Sequence, residues 1–154
     1  MGGFDVAVPG PEHEVLAKLT GEWAGTETML PSPWCPEAQQ LTGHISARML
    51  YGFFAISDYT QKAGDEVSFR GHGVYSFDPA EKRYVMYWFD SMGGAGGTAY
   101  GTYADGVLAF QNSSKVGHHR YVYTFGEGET RFQMAMSADG ETWNELMDSH
   151  YRPA

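Results

Sequence analysis

From Thr20 onward the chain is cut into short runs of β-branched and aromatic residues, each stopped by Gly, Asp, Asn or Pro before it reaches helix length. About ten such runs can be read, at approximately 23–30, 42–51, 53–61, 67–77, 83–90, 98–104, 107–112, 119–125, 130–137 and 142–152. Links such as YADGV, FGEGET and SADGET carry the Asp-Gly or Gly-Glu-Gly chemistry of tight hairpins, so consecutive strands should be antiparallel neighbours. A meander of this many strands either leaves two edges exposed or closes on itself, and closure is the usual solution. The expected fold is all-β: a closed or nearly closed antiparallel up-and-down β-barrel of about ten strands, roomier than the roughly eight-stranded barrels that hold one small ligand.

One segment reads as a helix. PEHEVLAKL, residues 11–19, places Pro11 at a tolerated first-turn position, Glu12 and Glu14 early, Lys18 late, and one apolar stripe of Val15, Leu16 and Leu19. The barrel is then expected over 23–152 of a single domain spanning 1–154, with 31–41 as its longest irregular connection. The 42% hydrophobic and 15% aromatic content suits one sizeable core. A formal charge of −9 argues against nucleic acid and against an anionic membrane surface as partners. Cys35 is the only cysteine, so no internal disulfide can form, and its setting PSPWCPE reads as a loop with a solvent-side thiol. The stretch MGGFDVAVPGPEH lacks a basic segment followed by an apolar one, and nowhere do 18 apolar residues run together. A cytoplasmic location is expected.

Alternation assigns candidate interior residues. On YVMYWFD, Tyr84, Met86, Trp88 and Asp90 share one face and Val85, Tyr87 and Phe89 the other. Met86 and Trp88, with Phe110, Phe132, Met134 and Met136 of later strands, would form an aromatic and thioether lining for a flat or flexible apolar ligand. An acid ending an apolar strand reads first as a turn-forming carboxylate. Asp90 at a barrel mouth could instead hold a ligand hydroxyl or amine, with Gly93, Gly94, Gly96 and Gly97 making a pliable portal beside it. Those glycines are no phosphate loop, since neither Lys-Ser nor Lys-Thr nor a helix follows them. The six histidines form no H-x-H or HExxH pattern, and no metal or other cofactor is expected. On the last strand Asp148, His150 and Arg152 alternate onto one face, opposite Trp143, Glu145, Met147 and Tyr151, and a bulge would exchange the two sets.

LTGEWAG opens the first strand and HYRPA closes the last, and together they resemble the end-to-end signature of the calycins, the superfamily of lipocalins and fatty-acid-binding proteins. That resemblance implies that Trp23 plugs the closed end of the barrel while Arg152 stacks on its indole. Over nearly its whole length the chain is similar to the domain-of-unknown-function 1579 family, a bacterial group with a lipocalin-like barrel. The resemblance runs through PEHEVLAKLTGEWAG, VYSFDPAEKRYVMYWFDS and DGETWNELMDSHYR, departing at Ser76, where the family usually has Gly, and in the Gly-rich 93–97 insert. The family implies a pocket and no agreed chemistry. The nitrobindins, haem-binding ten-stranded barrels of the same superfamily, place their histidine ligand where this chain has Leu146, so haem would need His150 in a different register.

Two function classes follow. The first is a module that binds a small apolar or amphipathic molecule inside the barrel, contacted by Trp23, Met86, Trp88, Asp90, Phe110 and Met134, with Arg152 at the closed end. The second is an enzyme of isomerase, cyclase or lyase type, in which groups from Asp90, His72, His119, Tyr121 and His150 do acid-base work in the pocket. Haem binding is a third alternative. The surplus aromatic faces suit a homodimer.

Overall fold

The computed structural model describes residues 6–33 and 35–154. Residues 1–5, part of the amino-terminal stretch in which no leader is expected, and Trp34 of the proline-rich loop lie outside the described residues. A short helix α1 (Pro11–Ala17) precedes ten strands: β1 (Gly21–Met29), β2 (Gln39–Leu50), β3 (Phe54–Ala63), β4 (Glu66–Asp78), β5 (Arg83–Asp90), β6 (Gly97–Ala104), β7 (Val107–Ser114), β8 (Gly117–Gly126), β9 (Glu129–Ser137) and β10 (Asn144–Pro153). Every strand pairs antiparallel with its neighbours in sequence, and β1 pairs with β10, so the sheet is a closed up-and-down barrel. The seam runs in unbroken register from Trp23 opposite Pro153 to Met29 opposite Met147. No helix among the described residues is long and apolar enough to cross a membrane.

The turn chemistry does what the sequence suggests. Asp105 and Gly106, between β6 and β7, both adopt positive φ (51° and 79°), the pairing that a two-residue hairpin needs. Two departures matter for the interior. The helix ends at Ala17, short of residue 19, yet Leu19 remains buried as the chain turns into β1. In β10 the register against β9 shifts between Glu145 and Met147. The extra residue sets the inward face of the remaining strand as Met147, Ser149 and Tyr151, all buried, and leaves Asp148, His150 and Arg152 on the outer face.

The helix covers one end of the barrel. Val15, Leu16 and Leu19 join the core made by Ala55, Tyr75, Tyr84, Met86, Ala99, Leu108 and Phe110. Polar contacts fix its position: the Tyr84 hydroxyl donates to the Glu12 carbonyl at 2.9 Å, and the Gly10 amide donates to His13 Nδ1 at 2.9 Å. The His13 ring meets Phe53 edge-on with centroids 5.1 Å apart. Leu16 is fully buried at this end, and so short a helix depends on packing rather than on its own propensity. Leu16→Ala is expected to cost about 2–5 kcal/mol, measured by urea unfolding, with strand content preserved in circular dichroism. A loss below about 0.5 kcal/mol would mean that the helix is not part of the core.

Candidate functional site: a cavity with a buried carboxylate

A cavity of about 350 Å³ lies inside the barrel, toward the small end of the ~300–1,000 Å³ typical of small-molecule sites. Its wall is mostly apolar and aromatic, with Trp23, Phe69, Met86, Trp88, Phe132 and Met134 among the contributors. Lys18, Leu19 and Trp23 stand at the α1 end, and Asp90, Gly97, Thr98 and Asn112 at the opposite end.

Beside this cavity sits a fully buried acid, Glu27. Alternation along GEWAGTETM makes it inward-facing with Trp23 and Gly25. Its carboxylate accepts from the Tyr59 hydroxyl at 2.6 Å and 2.7 Å, from Gln61 Nε2 at 3.0 Å, and from the Tyr151 hydroxyl. These donors come from β3 and β10 and themselves line the cavity, so the carboxylate lies behind a polar screen. On the third side β2 offers Gly43, where an added Cβ would overlap the Glu27 carboxylate. Gln61 completes the network by donating also to the Tyr59 hydroxyl at 3.2 Å, while its own carbonyl accepts from Ser68 at 3.2 Å. Ser149, register partner of Glu27, is fully buried, and its hydroxyl has no partner among the described residues.

The same arrangement raises the phenols. Burial, then the neighbouring Tyr151 and Glu27, pushes Tyr59 well above its ordinary value, and burial followed by Glu27 does the same to Tyr151. Burial also pushes Tyr75 up to about 12 and raises Tyr123, whose hydroxyl lies 2.7 Å from that of Tyr75. All four hydroxyls are therefore protonated near neutrality.

At the end opposite α1, Asp90 closes a turn and stands on the cavity wall. Its Oδ1 accepts the Met92 amide at 2.9 Å, closing the turn, and its Oδ2 accepts Trp88 Nε1 at 2.9 Å on the cavity wall. The indole lies across Gly71, where a Cβ would overlap the ring. The Gly-rich hairpin begins immediately beyond, with Gly93, Gly94 and Gly96 at φ near +81° to +84°.

Of the residues singled out from sequence, Trp23, Met86, Trp88, Asp90, Gly97, Tyr121, Phe132 and Met134 line the cavity, whereas Phe110, Met136, His72, His119, His150 and Arg152 do not. Phe110 points inward but is packed beneath the wall, its ring 5.9 Å from Tyr75, in space that Gly101 leaves free. His119 shares the Tyr121 face and stacks on that ring at 6.4 Å, outside the lining. His72 points outward and pairs with Asp58 at 2.8 Å, because alternation on β4 turns Gly71, Gly73 and Tyr75 inward. His150 pairs with Glu129 at 2.8 Å on the outer face. Arg152 is exposed there too, so the expected stack on Trp23 does not form. The Trp23 indole instead donates to the Thr20 carbonyl at 3.0 Å. Guanidinium–aromatic stacking occurs elsewhere on the barrel, with Arg83 over Tyr100 and Arg120 over Trp143.

The histidine ligation that the resemblance implied for haem is not offered by the cavity wall among the described residues. The cavity wall contains no histidine or cysteine among the described residues, and Leu146 occupies the position the resemblance assigned to the ligand. His150 faces outward. No group of three His, Cys, Asp or Glu among the described residues could hold a metal ion.

Comparison with known proteins agrees with this architecture. A profile described as "Protein of unknown function (DUF1579)" matches residues 8–153. The chain belongs to this DUF1579 family. No curated protein matches the sequence. Among solved structures, the crystal structure of Rv2717c from M. tuberculosis superposes with a TM-score of 0.73 at 12% identity, covering 96% of this chain and 99% of that one. At that identity the likeness shows a shared fold alone. The functional reading of this DUF1579 chain therefore rests on its own cavity.

Glu27, Tyr59, Gln61 and Tyr151 are absent from the sequence-derived candidates. The signal was present, since Glu27 lies four residues after Trp23 and so on the same strand face. Raised phenols bind their protons more tightly in the folded state than in the unfolded one. Their contribution to stability is intact below the ordinary value of 10.0 and is lost as pH rises through the folded values. In an alkaline titration, the tyrosinate absorbance of Tyr75 is expected only around pH 12, with Tyr59, Tyr123 and Tyr151 ionising later still or together with loss of near-ultraviolet circular dichroism. Complete tyrosine ionisation near pH 10 with the fold intact would contradict the cluster.

Proposed function

We propose that this barrel binds a small apolar or amphipathic molecule in its interior. The cavity carries this reading: about 350 Å³, walled by Trp23, Phe69, Met86, Trp88, Phe132 and Met134, with a few convergent polar groups at Glu27, Tyr59, Gln61 and Tyr151. Met and aromatic side chains suit a ligand of adaptable shape. A cytoplasmic setting fits the free thiol of Cys35, which requires no oxidising compartment.

A second reading, acid-base catalysis, is supported by one observation: two tyrosine hydroxyls on the cavity wall share one carboxylate. Ordinary general-acid work at neutral pH calls for a phenol poised near the operating pH. Burial moves Tyr59 and Tyr151 the other way. Binding is therefore the better-supported of the two.

Native mass spectrometry of gently purified protein, followed by extraction of any bound molecule, tests the proposal. The expected result is a co-purifying apolar or amphipathic compound, together with uptake of the neutral dye Nile red that Met134→Trp blocks by filling the cavity. Protein empty from several hosts and unable to take up the dye would refute it.

A further inference from the structure

The hydrogen bonds at the Glu27 screen bear on which polar end a ligand can place there, whereas the Tyr75–Tyr123 pair elsewhere on the wall shares one bond and keeps one proton free. Both phenol protons at the screen are spent on Glu27, and both Gln61 amide protons are spent on Glu27 and on the Tyr59 oxygen. What Tyr59 and Tyr151 still offer the cavity is oxygen lone pairs, backed by a carboxylate. The far end repeats the pattern, since the Trp88 N–H is spent on Asp90 and a second carboxylate stands at the wall. The one cationic side chain among the described residues of the wall is Lys18, which is exposed at the α1 end. Arg152, expected from sequence at the closed end, faces outward.

We infer that the cavity selects ligands whose polar end donates hydrogen bonds, a protonated amine or an alcohol on an apolar chain, and discriminates against carboxylates of the same length. This deepens the binding proposal and rests on it. An ammonium or hydroxyl placed against the Tyr59 and Tyr151 oxygens gains charge-assisted or neutral hydrogen bonds to groups that have lone pairs to spare. A carboxylate there meets no free donor at the screen and repulsion from Glu27 behind it, in surroundings too apolar to attenuate the field.

Decylamine, decanol and decanoate, matched in chain length, provide the test, read by isothermal titration calorimetry alongside Nile red displacement. The wild-type protein is expected to bind decylamine at least about tenfold more tightly than decanoate, with decanol between them. Glu27→Gln, checked for folding by circular dichroism, is expected to reduce that lead to about threefold or less. Decanoate binding as tightly as the amine would overturn the donor rule while leaving the binding proposal intact. An unchanged lead in Glu27→Gln would remove Glu27 as its source. Failure of Nile red and of all three chains to bind would overturn the binding proposal, and this inference with it. The wild-type ranking decides the donor rule even if the variant does not fold.

Discussion

Glu27 is a buried carboxylate with no cation beside it among the described residues, and much of the interior is arranged to make that tolerable. Removing a lone acid from water costs several kcal/mol unless donors replace the solvent. Here Tyr59 and Gln61 reach it from β3 and Tyr151 from β10, while Gly43 of β2 gives it space. The acid thus links the first strand to the last across the seam that closes the barrel. Strand pairing closes the sheet and the β10 register turns Tyr151 inward, where the shared carboxylate adds side-chain hydrogen bonds across the seam.

That choice has consequences for the rest of the cavity. With Tyr151 inward, His150 and Arg152 are forced outward, so neither places a basic group at the centre of the barrel to receive an anion. At the Glu27 screen Tyr59, Tyr151 and Gln61 spend protons on the carboxylate, and at the opposite end Trp88 spends its own on Asp90. The cavity is largely apolar, and its Glu27 screen is accepting by hydrogen-bond capacity. Its polarity comes from an internal hydrogen-bond balance that no single residue reveals.

The barrel was legible because its signals are local. Hairpins such as YADGV and FGEGET announce themselves, and period-two runs between them have room for little else. The face of β5 was legible for the same reason, with Tyr84, Met86, Trp88 and Asp90 on one side. The last strand was not, because its face depends on the irregularity between Glu145 and Met147, which leaves no mark in a single sequence. Reading Arg152 as a partner for Trp23 then carried His150 inward with it. Glu27 was obscured differently: an acid in the run GTETM reads as a solvated strand position. Its donors lie 32, 34 and 124 residues away. Only the closed barrel brings them together.

A double-mutant cycle on Tyr59→Phe and Tyr151→Phe, measured as unfolding free energy in urea, tests most directly whether Glu27 is a shared acceptor across the seam. If both hydroxyls serve one buried carboxylate, each loss changes the cost of the other, and a coupling energy of about 0.5–3 kcal/mol is expected. Effects that add within about 0.3 kcal/mol would show the two tyrosines to be independent, and would contradict a carboxylate shared between the first strand and the last.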